Sequence, residues 1–178
     1  MAKKIEPIRD IGTLDDISRW LKGIGERYWL LFELCVNAGL RMSEALRLRV
    51  EDVAGRDCVV IFEQKKKRIR MVPLNSRLRG VVSDFVPKDA NRDAYLFRAQ
   101  GGENRPMTQT HALKIIQEAC ERQGVEHFGA GVLRKTFEYH YRRAAASAPL
   151  PAAQEQQLAD QVPRAADKVP QPGGRGAE

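Results

Sequence analysis

Cysteine and histidine are scarce in this 178-residue sequence, three of each, and neither forms a pattern. Cys35, Cys58 and Cys120 are odd in number and widely spaced, with no CxxC pair and no Cys/His spacing. That excludes a disulfide framework and leaves reduced thiols packed among apolar neighbours such as Leu34, Val36, Val59 and Val60. His111, His127 and His140 are too dispersed to propose as a metal cluster, so neither metal nor cofactor is expected. No apolar run approaches the roughly 18 residues that a membrane span needs. The opening MAKKIEPIRD has two lysines with no apolar stretch behind them, so no membrane partner or signal peptide is expected and the expected location is cytoplasmic. Internal repeats are absent as well, which sets aside solenoid architectures.

Charge is plentiful by contrast. Thirty Lys and Arg oppose 23 Asp and Glu, a formal +7, and apolar residues make up 43% of the chain. A soluble globular domain with an anionic partner is the reading that follows. The composition is uneven, however. Residues 144–178 hold ten alanines, five of the nine prolines, five glutamines and no aromatic residue. Setting aside that segment, with its three basic and four acidic residues, leaves 27 basic and 19 acidic residues in 1–143, a net +8. We therefore expect a basic domain over 1–143, large enough to bury a core, and an Ala/Pro/Gln-rich disordered tail over 144–178.

Within 1–143 the patterning predicts a helix-rich α+β fold with one small antiparallel sheet. Thr13, three residues before Asp16, predicts the start of a short helix through Leu21, broken by Gly23 and Gly25. A mostly buried helix follows from Glu26 and ends at Gly39. Ser43 predicts the cap of a further helix that carries Leu46, Leu48 and Val50. The run Cys58–Phe62 and the run Ile69–Val72 read as a β-hairpin whose turn is Gln64-Lys65-Lys66-Lys67. Helices are expected from Ser76, from a Thr108 cap through Arg122, and from Gly131 to Arg143, the last with Leu133, Phe137 and Tyr141 on one apolar stripe.

Four segments, in this order and spacing across residues 5–143, together resemble the catalytic domain of the tyrosine recombinase, or phage integrase, family. Ala38-Gly39-Leu40-Arg41-Met42-Ser43-Glu44-Ala45-Leu46, followed by Leu48 and Asp52, is similar to the family's first arginine box. Glu63 to Leu74, with its lysine cluster and Val72-Pro73-Leu74, resembles the hairpin lysine and the strand after it. Tyr95-Leu96-Phe97 with Pro106-Met107-Thr108 resembles the connecting piece and the next helix start. Gly129 to Phe137 resembles the second arginine box.

The resemblance implies attack of a tyrosine on a DNA phosphate without a metal, with two arginines holding oxygens whose negative charge grows in the transition state. Guanidinium forks suit that task. Carried over residue by residue, Arg41 and Arg134 take those roles, and Lys65 protonates the leaving 5′-hydroxyl. Lys66, Lys67, Arg68, Arg70 and Lys135 would add contacts to double-stranded DNA that position it without reading sequence. Blander readings stay open: a basic hairpin tip is also a solvated turn, and Arg41 has Glu44 to pair with, as Arg134 has Glu138 at i+4.

The sequence departs from the family pattern in four ways. Gly131 stands where a histidine is usual, with His127 as a loop candidate in its place. Glu138 stands where a small residue is usual. No upstream core-binding domain is expected. Finally, no tyrosine follows Tyr141, and Tyr139 and Tyr141 lie on the same helix as Arg134, where core packing is the expected role. The expectation is a recombinase-like core, truncated before the nucleophilic tyrosine, that binds DNA and does not cleave it alone. Alternatives are a noncatalytic DNA-binding regulator, a defective partner of a full-length recombinase, and a degenerate remnant; the partners expected beside double-stranded DNA are a full-length recombinase or further copies of the chain in a homo-oligomer on DNA.

Overall fold

The structure, a computed structural model, describes residues 6–63, 67–101 and 103–147. Lys65, Lys66 and most of the expected tail (148–178) lie outside the described residues. The elements are helices α1 (Ile11–Ile24), α2 (Glu26–Asn37), α3 (Met42–Ala45) and α4 (Val50–Val53), strands β1 (Cys58–Glu63) and β2 (Arg68–Pro73), then α5 (Ser76–Phe85), α6 (Gln109–Arg122) and α7 (Ala130–Ser147). The mainly helical reading with one small sheet holds.

Helix α2 is the hub. It buries Tyr28, Leu30, Leu31, Phe32, Leu34, Cys35 and Val36, nearly its whole circumference, as a helix enclosed by others must. Helices α1, α3, α5, α6 and α7 all pack on it. A polar group also lies at this centre: Glu33, 2% exposed, accepts from Ser18 Oγ at 2.6 Å and from Asn37 Nδ2 at 2.9 Å, and Arg77 approaches it at 3.4 Å. These partners are what allow a carboxylate to sit in the core.

Several helix ends differ from expectation. Asp10, not Thr13, caps α1: its carboxylate accepts from the Thr13 amide at 2.6 Å and the Thr13 hydroxyl at 2.9 Å. The Thr13 amide first, then the hydroxyl, hold the Asp10 carboxyl below its ordinary range. The helix runs through Gly23 and breaks only at Gly25. The single helix expected after Gly39 is two one-turn helices, because Leu48 and Val50 are drawn into backbone pairing with a distant segment. Leu96 N–H donates to the Leu48 carbonyl at 2.8 Å and Val50 N–H to the Ala94 carbonyl at 2.9 Å. Asn75 caps α5 through the Leu78 amide, and Thr108 caps α6 as expected. Helix α7 passes Arg143 and continues to Ser147, since alanines 144–146 favour helix without needing core contacts.

Strands β1 and β2 pair antiparallel with Cys58 opposite Pro73 and Glu63 opposite Arg68. Period-two alternation puts Val59, Ile61 and Val72 on the buried face, leaving Val60 and Phe62 exposed. The segment before α1 is held by α7. Ile8 N–H donates to Thr136 Oγ1 at 2.9 Å, and His140 Nε2–H donates to the Ile8 carbonyl at 3.0 Å. Among the described residues no helix is long and apolar enough to cross a membrane.

Candidate functional site

Arg41 occupies the N-cap position of α3. Its conformation is set by Glu44, whose carboxylate accepts from the Arg41 amide at 2.8 Å and from Arg41 Nη1 at 3.1 Å. The side chain is 53% exposed, so one carboxylate contact leaves most of its five N–H donors open to solvent.

The same Glu44 also reaches the hairpin. Arg70 Nη2 lies 2.8 Å from Glu44 Oε2 and Arg70 Nε lies 3.2 Å from Glu63 Oε1, while Arg68 Nε donates to Glu63 Oε2 at 2.8 Å. Strand periodicity explains this arrangement. Glu63, Arg68 and Arg70 share the face that carries Val59, Ile61 and Val72, so Arg70 turns inward at the edge of the core and is only 23% exposed. Arg70 thus fixes the hairpin to the Arg41 turn. Lys67 is exposed at the tip with φ +45, a left-handed conformation uncommon for a lysine. Glu44 and Glu63 are the site residues that sequence reasoning passed over as functional. The alternation from Val59 to Glu63 was the available signal.

Arg134 lies on the first half of α7. Its Nε donates to Glu138 Oε1 at 3.2 Å, with the two side chains 34% and 45% exposed. Arg134 Nη1 is buried without a hydrogen-bond partner among the described residues. Lys135, next to it, is exposed. The two arginine-bearing segments meet through a close contact. Gly39 has φ +65, and a Cβ placed there would come 2.4 Å from Phe137 Cδ1. Gly39 precedes Arg41 by two residues, and Phe137 follows Arg134 by nearly one turn, so the absence of a side chain at 39 lets α7 pack against the turn that leads into Arg41.

The expected histidine position, Gly131, is exposed on α7, and His127 sits in the preceding loop with φ +58, exposed and 3.7 Å from Glu126. Tyr141 was expected in the core stripe and is instead 50% exposed, stacked on Phe137 at 5.5 Å, because α7 has run past the core by its fourth turn. Tyr139 lies edge-on to His140 and beneath the Arg9 guanidinium. Arg41 and Arg134 are each partly exposed and each touch one carboxylate, which leaves guanidinium donors of the kind that suit an oxyanion with several acceptor oxygens.

Comparison with known proteins gives concordant results. The model of the phage integrase family matches residues 13–157. The chain is 31% identical over 137 residues to the probable integrase/recombinase YoeC of Bacillus subtilis, an alignment covering 77% of this chain and 75% of that one. It is 27% identical over 150 residues to the tyrosine recombinase XerD of Caulobacter vibrioides, covering 75% and 49%. Among solved structures, the XerH site-specific recombinase bound to difH substrate in a pre-cleavage complex superposes with a TM-score of 0.59 at 21% identity, over 80% of this chain and 46% of that one. The catalytic domain of bacteriophage HP1 integrase gives 0.55 at 22% identity, over 78% and 72%. The chain thus spans three quarters of the first relative and about half of the Xer recombinases.

Proposed function

The chain belongs to the phage integrase family of tyrosine recombinases, and from that premise we propose that it binds double-stranded DNA through Arg41, Arg134 and the basic hairpin, and that the 178-residue chain does not cleave DNA by itself. The observation that supports the reading is the Gly39–Phe137 contact, which packs the helix that carries Arg134 against the turn that leads into Arg41, with both arginines partly exposed. Each guanidinium offers forked donors to a phosphate, and in a site of this kind they would stabilise charge developing on its nonbridging oxygens. Lys65 is assigned the proton to the leaving 5′-hydroxyl, and Lys66, Lys67, Arg68 and Lys135 the surrounding backbone. Arg70 joins them as the residue that orients the hairpin. No tyrosine follows Tyr141, and Tyr141 stacks on Phe137.

Duplex binding that weakens steeply with salt is the expected result, with Arg41→Ala and Arg134→Ala each making the slope of log affinity against log salt shallower by about 0.9, the value of one phosphate contact. A suicide substrate should trap no phosphotyrosyl adduct. Salt-insensitive binding would refute the first half of the reading, and a covalent adduct the second. A second reading, favoured by retained arginines without a downstream tyrosine, is action as a noncatalytic partner of a full-length recombinase on DNA. Dominant interference in a recombination assay supports it.

A further inference from the structure

Helices α1, α2, α5 and α7 enclose a cavity of about 240 Å³ that has no part in the reading above. Leu14, Phe32 and Val36 supply its apolar wall, and Glu33, Asn37 and Arg77 its polar part. Its charge runs against the basic composition of the chain. Two carboxylates, Glu33 and Asp15, line it beside one guanidinium, Arg77, and the His140 imidazole. Glu33 is the unusual member, because it is 2% exposed and a carboxylate so placed needs compensation for the water it has lost.

That compensation is weak in charge. Ser18 Oγ and Asn37 Nδ2 donate to Glu33 at 2.6 and 2.9 Å, but both donors are neutral. Among the described residues the cation that reaches Glu33 is Arg77, whose Nη2 lies 3.4 and 3.5 Å from the two carboxylate oxygens, longer than the about 2.7–2.9 Å of a charge-assisted hydrogen bond. The Arg77 side chain is also 59% exposed, so a loosely held guanidinium stands at the mouth of the cavity over a buried carboxylate. The carboxylate itself is fixed in advance. Ser18 Oγ accepts from Trp29 Nε1–H at 2.9 Å, which turns its own proton to Glu33, and Asn37 stands one helical turn beyond Glu33 on α2.

We propose that this cavity binds a small organic cation with an apolar stem, of the alkylguanidinium class, whose head replaces Arg77 against Glu33 and whose stem lies along Leu14, Phe32 and Val36. The volume is below the roughly 300–1,000 Å³ of sites for drug-sized ligands, which limits the occupant to a short stem. A planar fork matches the two oxygens of a carboxylate as the point charge of an ammonium does not, and Arg77 already places such a fork there. The proposal makes no use of DNA binding and stands or falls apart from it.

Trp29 supplies the reporter, since its indole N–H reaches Glu33 through Ser18, and Trp20, which does not line the cavity, supplies the control. The test adds butylguanidinium to the full chain and follows the two indole N–H resonances, with butanol as the uncharged comparison. The expected result is a saturable shift of Trp29 and not of Trp20. Affinity should fall by about tenfold or more in Glu33→Gln, the loss of a hydrogen-bonded charge. It should rise by up to about fivefold in Arg77→Ala, the worth of one partly exposed ion pair. Because Arg77 is exposed, Arg77→Ala decides the case if Glu33→Gln fails to fold. No saturable Trp29 shift overturns the site, and butanol binding as tightly overturns the cationic class. Unchanged or lower affinity in Arg77→Ala overturns the replacement of Arg77. A Trp29 shift produced by raising the protein concentration alone overturns a free small molecule as the source and puts an arginine of a second copy in the cavity.

Discussion

Glu138 stands one turn beyond Arg134 and takes its Nε at 3.2 Å, on a side of α7 where a DNA phosphate would compete for the same donor. A partly exposed ion pair of this kind is worth about 0.2–1 kcal/mol. Glu138→Ala is therefore expected to raise duplex affinity by up to about fivefold, an increase that shrinks at high salt, as fluorescence anisotropy over a salt series would show. No gain in affinity would mean that Glu138 does not hold Arg134 back. The thiols make a second residue-scale case. Burial, then the nearby Glu44 charge, pushes Cys35 up to about 12, and burial, then Glu121, does the same to Cys120. Cys58 is raised less, by partial burial first. Alkylation followed by mass spectrometry should label Cys58 first and the other two only on unfolding. In the unfolded chain the thiols ionise near 9.0, and in the fold near 12, so the native state holds the extra protons between those values. Stability should then fall as pH rises from about 9 towards 12, and Cys35→Ala/Cys120→Ala should flatten that decline in urea midpoints. Arg41 and Arg134 are legible as candidate site residues because each lies in a short run of characteristic neighbours. The inward turn of Arg70 was readable in principle from strand alternation. The buried Nη1 of Arg134 was not, since it depends on what packs over α7.

The elements that could be read from sequence are those whose signals are local. The buried character of α2, the Thr108 cap and the alternation of β1 all come from near neighbours. The two one-turn helices α3 and α4 escaped because what interrupts them, pairing of residues 48–50 with 94–96, joins positions more than forty apart. Gly39 shows both kinds of constraint at once. Its role as a helix terminator was local, whereas the Phe137 ring lying against it comes from α7. A side chain at 39 costs about 1–2 kcal/mol for the left-handed backbone and about 1–3 kcal/mol for displacing the ring. Gly39→Ala should accordingly destabilise by about 2–5 kcal/mol in urea unfolding with an unchanged slope, and weaken duplex binding as α7 is pushed from the turn that leads into Arg41. In the Phe137→Ala background the ring component should vanish and only the backbone cost remain. Full additivity of the two substitutions would rule out the contact as the cause.

Across the whole molecule, part of the positive charge is gathered where Glu44 and Glu63 hold Arg41, Arg68 and Arg70 and so join the Arg41 turn to the hairpin. The chain also closes on itself. Ile8 is joined to Thr136 and His140 across 128 and 132 residues. Contacts of that range carry the entropic cost of closing long loops. The segment ahead of α1 acts as a clasp on the helix that carries Arg134, and order at the proposed phosphate site depends on residues that never touch it. A chain begun at Asp10 should keep most of its helical content, exchange the amide hydrogens of α7 sooner than those of α2, and bind duplex more weakly, with no arginine having been altered.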